Sequence, residues 1–212
     1  MERLFRSQEG MQVGVLTEPQ QIERLLAVFA DVAAEQGWQP GAYLQKRPAT
    51  AHYIAAQAGN EVIGGFQVVL PDAEGRLAFQ SVWPEVTLEA PPRTAHIAIL
   101  ALQPQYRGSV RLFWSLCAEC WRFCVGQGIE ALTLEVTPLM LRRYCRLGWP
   151  LEVIGDLRLH WGEDCYLCRV DLRSVAGSML MRCVRSPIYR PLVYQASRPL
   201  EQASCPALLT LP

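Results

Sequence analysis

The chain has 212 residues, half of them apolar, and its 20 basic and 20 acidic side chains give no net charge. A chain of this length and composition can bury a substantial core, and we expect one main domain. The balanced charge argues against a general nucleic-acid binder. No apolar run is long enough to span a bilayer, and residues 1–6 lack the apolar region of a signal peptide. We therefore expect a cytoplasmic protein.

The first half of the chain predicts a strand, a helix and a hairpin. Residues 11–16 form the strand, and apolar residues at helical spacing follow it until Gly37 ends the helix. Residues 53–57 and 62–70 form the two strands of the hairpin. The segment 77–92 shows no regular pattern.

The second half predicts four strands and two helices. In chain order these are strand 94–102, helix 109–125, strand 129–136, helix 137–147, and strands 153–161 and 166–172. This alternation predicts an α/β fold with a central mixed sheet flanked by helices. Trp114 and Trp121 lie on the apolar face of helix 109–125 and are expected in the core.

Four of the eight cysteines form two C-x-x-C pairs, a spacing that zinc sites use. Cys117 and Cys120, however, lie on the apolar face of a predicted helix. Cys165 and Cys168 lie three apart in a predicted strand, where they would point to opposite faces. We therefore expect buried, reduced cysteines, without a metal and without a disulfide framework.

The turn between strand 94–102 and the next helix carries the clearest chemical signal. Arg107, Gly108, Ser109 and Val110 stand where a strand gives way to a helix N-terminus. Free backbone N–H groups and the positive end of the helix dipole suit a pyrophosphate or a phosphopantetheine phosphate. Glycine allows the tight turn that such a loop needs. The turn therefore predicts a site for a phosphate-bearing acyl carrier.

Two motifs resemble those of the GNAT superfamily of acyltransferases. Residues 106–110 resemble its acyl-carrier loop, Gln/Arg-x-x-Gly-x-Gly/Ala, with Val110 in place of the last glycine. Residues 144–149 resemble its Tyr-x-x-x-Gly-Phe pattern. The resemblance covers residues 11–172 and implies a GNAT-like splayed sheet. It divides the chain into an acyltransferase domain, 1–172, and a basic, proline-containing extension, 173–212.

Within that superfamily the chain is most similar to the acyl-homoserine-lactone synthases, which make autoinducers. The similar segments are residues 35–38, 64–71, 82–85 and 141–150. The chain differs at three places where those synthases carry charged groups for S-adenosylmethionine. Gln67 stands in place of an arginine, and residues 95–100 carry no charged side chain other than His96. Residues 39–47 lack the acidic pair. The resemblance therefore implies an autoinducer-synthase-like enzyme with a changed acceptor.

Acyl transfer needs an oxyanion donor, a base for the amine and an acid for the leaving thiolate. The resemblance implies that a backbone N–H among Leu100, Ala101 and Leu102 polarises the thioester carbonyl, and that Tyr144 protonates the thiolate. His96 is the first candidate base, since it falls at the position of the synthases' glutamate and imidazole titrates near neutrality. Glu135 is the second. A solvent-facing tyrosine, a structural histidine and a solvated glutamate are the alternatives.

The expected function is N-acyl transfer from an acyl-carrier-protein or acyl-CoA thioester to an amine, with no metal. Arg142, Arg143 and Arg146 would dock the acidic carrier protein. The basic extension either adds to that surface, lies on a membrane surface, or stays solvated. Two other functions remain open: a small-acyl N-acetyltransferase using acetyl-CoA, and an inactive binding or regulatory relative.

Overall fold

A computed structural model describes residues 11–39, 48–88 and 93–185, without the side chains of residues 179, 180 and 183–185. These ranges hold seven strands and four helices. In chain order they are β1 (Met11–Leu16), α1 (Pro19–Gln36), β2 (Ala51–Ala58), β3 (Glu61–Val69), β4 (Thr94–Leu102), α2 (Val110–Gly126), β5 (Ala131–Val136), α3 (Pro138–Leu147), β6 (Glu152–His160), β7 (Glu163–Asp171) and α4 (Leu172–Arg185). No helix in the described ranges is long and apolar enough to cross a membrane.

All seven strands form one mixed sheet in the order β1-β2-β3-β4-β5-β7-β6. Strands β4 and β5 run parallel, because the crossover through α2 returns the chain to the same end of the sheet. The other neighbouring pairs are antiparallel. The predicted mixed sheet with flanking helices is therefore confirmed.

The centre of the sheet is split, because β4 and β5 separate toward their C-terminal ends. Their pairing runs from Thr94 opposite Ala131 to Ile97 opposite Leu134 and stops there. Beyond this point β4 continues beside β3, and β5 continues beside β7. A register shift between β3 and β4 leaves Ala98 without a partner, and such a bulge increases the local twist. A gap therefore opens between β4 and β5.

Helices cover both faces of the sheet. The apolar faces of α2, α3 and the start of α4 pack in one large cluster on the first face. Helix α1 packs on the opposite face over β3 and β4, with Leu25, Phe29 and Val32 in a second cluster. The amphipathic patterns of α1 and α2 account for this arrangement, since each helix buries one stripe.

Five of the six cysteines that the structure describes are buried, and the sixth, Cys145, is exposed. The buried thiols belong to Cys117, Cys120, Cys124, Cys165 and Cys168, and none of them is in a disulfide. Burial raises the pKa of Cys165 to about 11 and that of Cys168 to about 12. Cys165 and Cys168 therefore stay protonated at neutral pH, and the buried thiols pack as small apolar groups, as expected.

Two of these helices and strands differ from the sequence prediction by more than two residues. Strand β7 begins at Glu163, three residues early, because Trp161 and Gly162 both have positive φ, 55° and 93°, and form a two-residue hairpin turn. The chain also continues past β7 as α4, whose Leu172 and Val175 are buried in the large cluster. Residues 186–212 lie outside the described ranges, so the division at residue 172 stays a prediction.

Candidate active site

A cavity of about 610 Å³ occupies the gap between β4 and β5. Its walls include members of the core clusters on both faces of the sheet, so the cavity passes through the sheet. On the face of α2 the lining is apolar and includes Phe66, Trp114, Cys117, Trp121, Tyr144 and Trp149. On the face of α1 it includes Trp38, Glu135, His160, Trp161 and Glu163. The separated strands thus join an apolar chamber to a polar one.

The turn before α2 borders this cavity. Gly108 has a φ of 82°, a left-handed conformation that glycine adopts without steric cost. Ser109 caps α2 by accepting a hydrogen bond from the Leu112 N–H at 3.3 Å. Val110 lines the cavity with its side chain exposed. The cavity thus meets a helix N-terminus, which favours anions.

All seven residues predicted to bind the acyl carrier line this one cavity. They are Leu100, Ala101, Leu102, Arg107, Gly108, Ser109 and Val110. The first three lie on the part of β4 that has left β5, so their strand edge faces the cavity without a β5 partner. An unpaired strand edge can hydrogen-bond the amides of an extended ligand.

The guanidinium of Arg107 is held by two other elements. Its two terminal nitrogens each donate to a different carboxylate oxygen of Glu35 at 2.7 Å, and its Nε donates to the Leu102 carbonyl at 2.9 Å. The hydrogen bond from Arg107 lowers the pKa of Glu35, and the same bond raises the pKa of Arg107. Arg107 therefore ties the turn to α1 and to the end of β4.

A buried polar cluster lies beside the gap, at the junction of β4 and β5. His96 is only 1% exposed, and its Nε2 lies 3.1 Å from Glu135 Oε2. Its Nδ1 lies 3.0 Å from Thr133 Oγ1, which itself donates to the Ala95 carbonyl at 3.3 Å. The other carboxylate oxygen of Glu135 is 3.9 Å from His160 Nε2. A carboxylate is thus held between two imidazoles.

The two candidate bases stand in different positions. Glu135 and His160 line the cavity, whereas His96 lies behind Glu135 and does not. Burial acts to raise the pKa of Glu135, but the imidazoles of His96 and His160 outweigh it, so this pKa is lowered. Burial lowers the pKa of His160. Glu135 is therefore an ionised carboxylate at neutral pH, within reach of a molecule in the cavity.

Tyr144 lies on α3 and lines the apolar chamber. Its ring stacks near that of Phe113, with centroids 6.4 Å apart, and lies 5.9 Å from the ring of Trp149. Burial raises the pKa of Tyr144 above its usual value of 10, so the hydroxyl stays protonated at neutral pH. The solvent-facing alternative does not apply, since the side chain faces the cavity.

The polar chamber contains aromatic residues that sequence reasoning did not assign. The Trp38 indole donates to Glu163 Oε2 at 2.9 Å, and its ring lies 6.3 Å from that of Trp161. Trp161 stacks on His160 with ring centroids 5.2 Å apart. The two-residue turn of the β6–β7 hairpin brings these residues together, and the Trp-Gly pair at 161–162 was the available signal.

The three arginines predicted to dock a carrier protein are exposed on α3. Arg143 also lines the cavity, so this basic surface lies at the cavity's edge. Arg182 of α4 extends the surface, since it donates to the Cys145 carbonyl at 3.5 Å.

Solved structures with the same fold exist, although no protein-family model and no curated protein match the sequence. FeeM, an N-acyl amino acid synthase from uncultured soil microbes, matches with a TM-score of 0.68 at 14% identity, over 79% of this chain and 94% of FeeM. The CoA-dependent acyl-homoserine lactone synthase BjaI gives 0.65 at 15% identity, over 93% of this chain and 92% of BjaI. A putative GNAT-family acetyltransferase from Desulfovibrio desulfuricans gives 0.51 at 18% identity, over 76% of this chain and 98% of that chain. The chain therefore has the GNAT-like fold that its sequence motifs predicted.

Proposed function

We propose that the protein is an N-acyltransferase that moves an acyl group from a phosphopantetheine thioester to an amine. The observation that carries this proposal is the cavity through the split sheet, with an apolar chamber on one face and the Glu135 cluster on the other. An acyl chain fits the first chamber, and a polar acceptor fits the second. Two proteins that share the fold support the proposal: FeeM is an N-acyl amino acid synthase, and BjaI is a CoA-dependent acyl-homoserine lactone synthase.

The donor would enter along β4. Its phosphate binds at the N-terminus of α2, beside Gly108 and Ser109, where backbone N–H groups and the helix dipole favour an anion. Its amide groups bond to the free edge of β4 from Leu100 to Leu102. Arg107 helps to keep this turn in place through Glu35 and Leu102. The cavity as a whole, about 610 Å³, is larger than an acetyl group needs, which favours a longer acyl chain.

Glu135 acts as the base in this proposal, with His96 as its positioning residue. The carboxylate faces the cavity, already ionised, and can take a proton from the attacking amine. The hydrogen bond from His96 fixes one carboxylate oxygen and leaves the other toward His160 and the cavity. This reverses the order of the two candidates that the sequence indicated.

The reaction forms one C–N bond and breaks one C–S bond. The amine nitrogen attacks the thioester carbonyl, whose oxygen is stabilised by a backbone N–H of Leu100–Leu102. The C–S bond then breaks, and Tyr144 donates its proton to the leaving thiolate. Glu135 holds the proton that the amine lost, and solvent returns a proton to Tyr144.

The acceptor would be a small molecule with a primary amine. Glu135 and Glu163 bring negative charge to the polar chamber, and Trp38 and Trp161 present aromatic rings beside it. Carboxylates and aromatic faces both attract an ammonium group before it loses its proton. In this proposal, these four residues take over the role of the charged residues that the acyl-homoserine-lactone synthases carry and that this chain lacks at 67 and 95–100.

The function is tested by incubating the purified protein with coenzyme A and carrier-protein thioesters of several lengths, with and without a panel of amino acids and amines. Thiol release that requires an amine, with an N-acylated product found by mass spectrometry, is the expected result. Glu135→Gln is the matched control, since it keeps the shape and removes the base. Binding of every thioester without turnover would favour the inactive relative, and the absence of both binding and turnover would contradict the proposal.

A further inference from the structure

The amine acceptor of the proposed reaction must lose two protons. A primary alkylamine is positively charged at neutral pH, as the lysine amino group is with its pKa of about 10.4. This ammonium has no lone pair, so it must lose one proton before it can attack a thioester. The nitrogen must lose a second proton once the C–N bond has formed. Glu135 can hold only one of these protons, so a second acceptor is needed beside the amine.

His160 lies where a second proton acceptor is needed. Its Nε2 is 3.9 Å from Glu135 Oε1, and both side chains line the cavity. This distance is too long for a hydrogen bond between the two atoms, but a nitrogen on their cavity side can lie within hydrogen-bond distance of both. The side chains of His160 and Glu135 are 16% and 10% exposed, whereas that of His96 is 1% exposed. A bound molecule can therefore touch His160 and Glu135 together.

The imidazole of His160 is held in place by two tryptophan rings. It stacks on Trp161 with ring centroids 5.2 Å apart, and its centroid lies 5.9 Å from that of Trp83. Trp83 is itself fully buried, and its indole donates to the Asp156 carbonyl at 2.8 Å. This packing fixes the imidazole with Nε2 toward Glu135.

The charged and titratable groups around His160 come from three strands. They are His96 of β4, Glu135 of β5, and Glu163 and Cys165 of β7, of which Glu163 lies opposite His160 in the strand register. Burial lowers the pKa of His160, so the imidazole is neutral at neutral pH and has a free lone pair. The carboxylate of Glu135 acts in the opposite direction and stabilises the imidazolium once a proton arrives. Cys165 stays protonated and adds no charge.

We propose that His160 is a second catalytic base, which takes the first proton from the incoming ammonium, while Glu135 takes the second after the attack. The inference rests on the proposed function, because it needs an amine acceptor. In the first step an N–H bond breaks, its electron pair stays on the amine nitrogen, and the proton bonds to Nε2 of His160. The positive charge thus passes from the ammonium to the imidazole and stays beside Glu135. Two protons are taken and Tyr144 gives one, so each turnover releases one proton to solvent.

The role of His160 predicts a particular dependence on pH. The imidazole must be neutral to accept a proton, so it gives the rate profile an acid limb of its own below pH 6.5, besides the limb of Glu135. Above this limb the wild-type rate levels off. In His160→Gln the amine must arrive already neutral, so the rate should keep rising with pH as more of the amine loses its charge.

The kinetic test compares two acceptors of nearly the same shape, 2-phenylethylamine and O-benzylhydroxylamine. The second has an oxygen in place of one CH₂ group and is neutral at pH 7, so it needs no first deprotonation. His160→Gln should lower kcat/KM by about 100-fold or more for 2-phenylethylamine, the usual contribution of a general base, and leave O-benzylhydroxylamine nearly unaffected. An equal loss with both acceptors would overturn the inference, because His160 would then only shape the chamber.

His52→Gln is the matched control for this substitution. His52 lies on β2, half-buried against Phe123 with ring centroids 4.8 Å apart, and burial lowers its pKa as it does for His160. It does not line the cavity. His52→Gln should therefore leave kcat/KM unchanged for both acceptors, and a selective loss with 2-phenylethylamine in this variant would also overturn the inference.

A measurement without turnover separates this inference from the proposed function. Nitrogen NMR of the histidine-labelled protein at pH 7 shows which ring nitrogens carry a proton, and His160→Gln identifies the His160 signals among those of the three histidines. A neutral ring with its proton on Nδ1 leaves the lone pair on Nε2 and supports the inference even if no amine is acylated. A charged ring, or a proton on Nε2, overturns it while leaving acyl transfer to an amine intact.

Discussion

At the scale of single residues, the position of Glu135 between two imidazoles is the arrangement on which the proposed chemistry depends. Removing the carboxylate should abolish base catalysis without removing the fold, because glutamine keeps the side-chain length. We expect Glu135→Gln to lower kcat by about 10²- to 10⁴-fold, the usual contribution of a general base. Steady-state thiol release measures this, and a loss confined to KM would contradict the assignment.

The dependence on pH tests the role of His96 as a positioning residue. The pKa of Glu135 lies below its usual value of 4.5 because the imidazoles outweigh burial, so the acid limb that Glu135 gives the rate profile should lie below pH 4.5. In His96→Gln one of the two imidazoles that oppose the effect of burial is gone, so the pKa of Glu135 should rise. This acid limb of the rate profile should then move to higher pH. A lower rate with an unmoved limb would mean that His96 serves packing alone.

The lowered pKa of Glu135 also makes the stability of the fold depend on pH. A carboxyl group with a lowered pKa in the folded protein stabilises the fold above the pKa of the unfolded chain. This contribution is lost as the pH falls through the lower folded pKa. Urea unfolding of the wild type and Glu135→Gln across this acidic range should show the two curves converging toward low pH.

Tyr144 is tested by changing the leaving group. As a general acid it helps most when the departing thiolate is a strong base, so Tyr144→Phe should lower kcat by about 10- to 100-fold with a coenzyme A thioester. The leaving group of an aryl thioester is a less basic thiolate, so Tyr144→Phe should lower kcat much less with that donor. Equal losses with both donors would indicate that the Tyr144 hydroxyl positions the substrate instead.

At the scale of elements, the turn between β4 and α2 depends on the backbone conformation of one glycine, Gly108. Gly108→Ala places a side chain at a φ of 82°, although no atom lies within 4 Å of the added carbon, so only backbone strain opposes it. The free energy of unfolding should fall by about 1–2 kcal/mol. Gly126→Ala, at the end of α2 with equally open surroundings, is the matched control and should raise it by up to about 1 kcal/mol. Urea denaturation measures both, and equal changes would contradict this view of the turn.

Several elements could be predicted from the sequence because local patterns determine them. The bounds of β1 and β4 agree with the structure, since each is an apolar run with clear ends. The turn at Trp161-Gly162 was missed because tryptophan is rare at positive φ, although the following glycine was a signal. Helix α4 was missed because its core-facing residues sit in an arginine-rich segment, and tertiary packing rather than local pattern holds it.

At the scale of the whole molecule, the candidate site could be predicted only in part. The turn residues and Tyr144 lie in motifs that are short in sequence. The ion pair of Arg107 with Glu35 and the contact of His96 with Glu135 each join residues far apart in the chain, so no local pattern encodes them. The cavity itself depends on where the β4–β5 pairing stops, a property of the assembled sheet.

Charge reversal on the basic surface of α3 tests whether the donor is a carrier-protein thioester or a coenzyme A thioester. Arg142→Glu with Arg146→Glu should lower kcat/KM for the acyl-carrier-protein thioester by about tenfold and leave the coenzyme A thioester nearly unaffected. Both arginines are exposed, and Arg143 is kept because it lines the cavity. Arg24→Glu, at an exposed position on α1, is the matched control. An equal loss with both donors, or none with either, would contradict carrier docking on this surface.

The central claim is that an acyl thioester passes through the gap between β4 and β5. The most direct test is a crystal structure with a thioether analogue of a medium-chain acyl-CoA, which binds and is not cleaved. We expect the pyrophosphate at Gly108 and Ser109, the sulfur near Tyr144, and the acyl chain between the sheet and α2. An analogue bound elsewhere, or one whose chain stays outside the gap, would contradict the account.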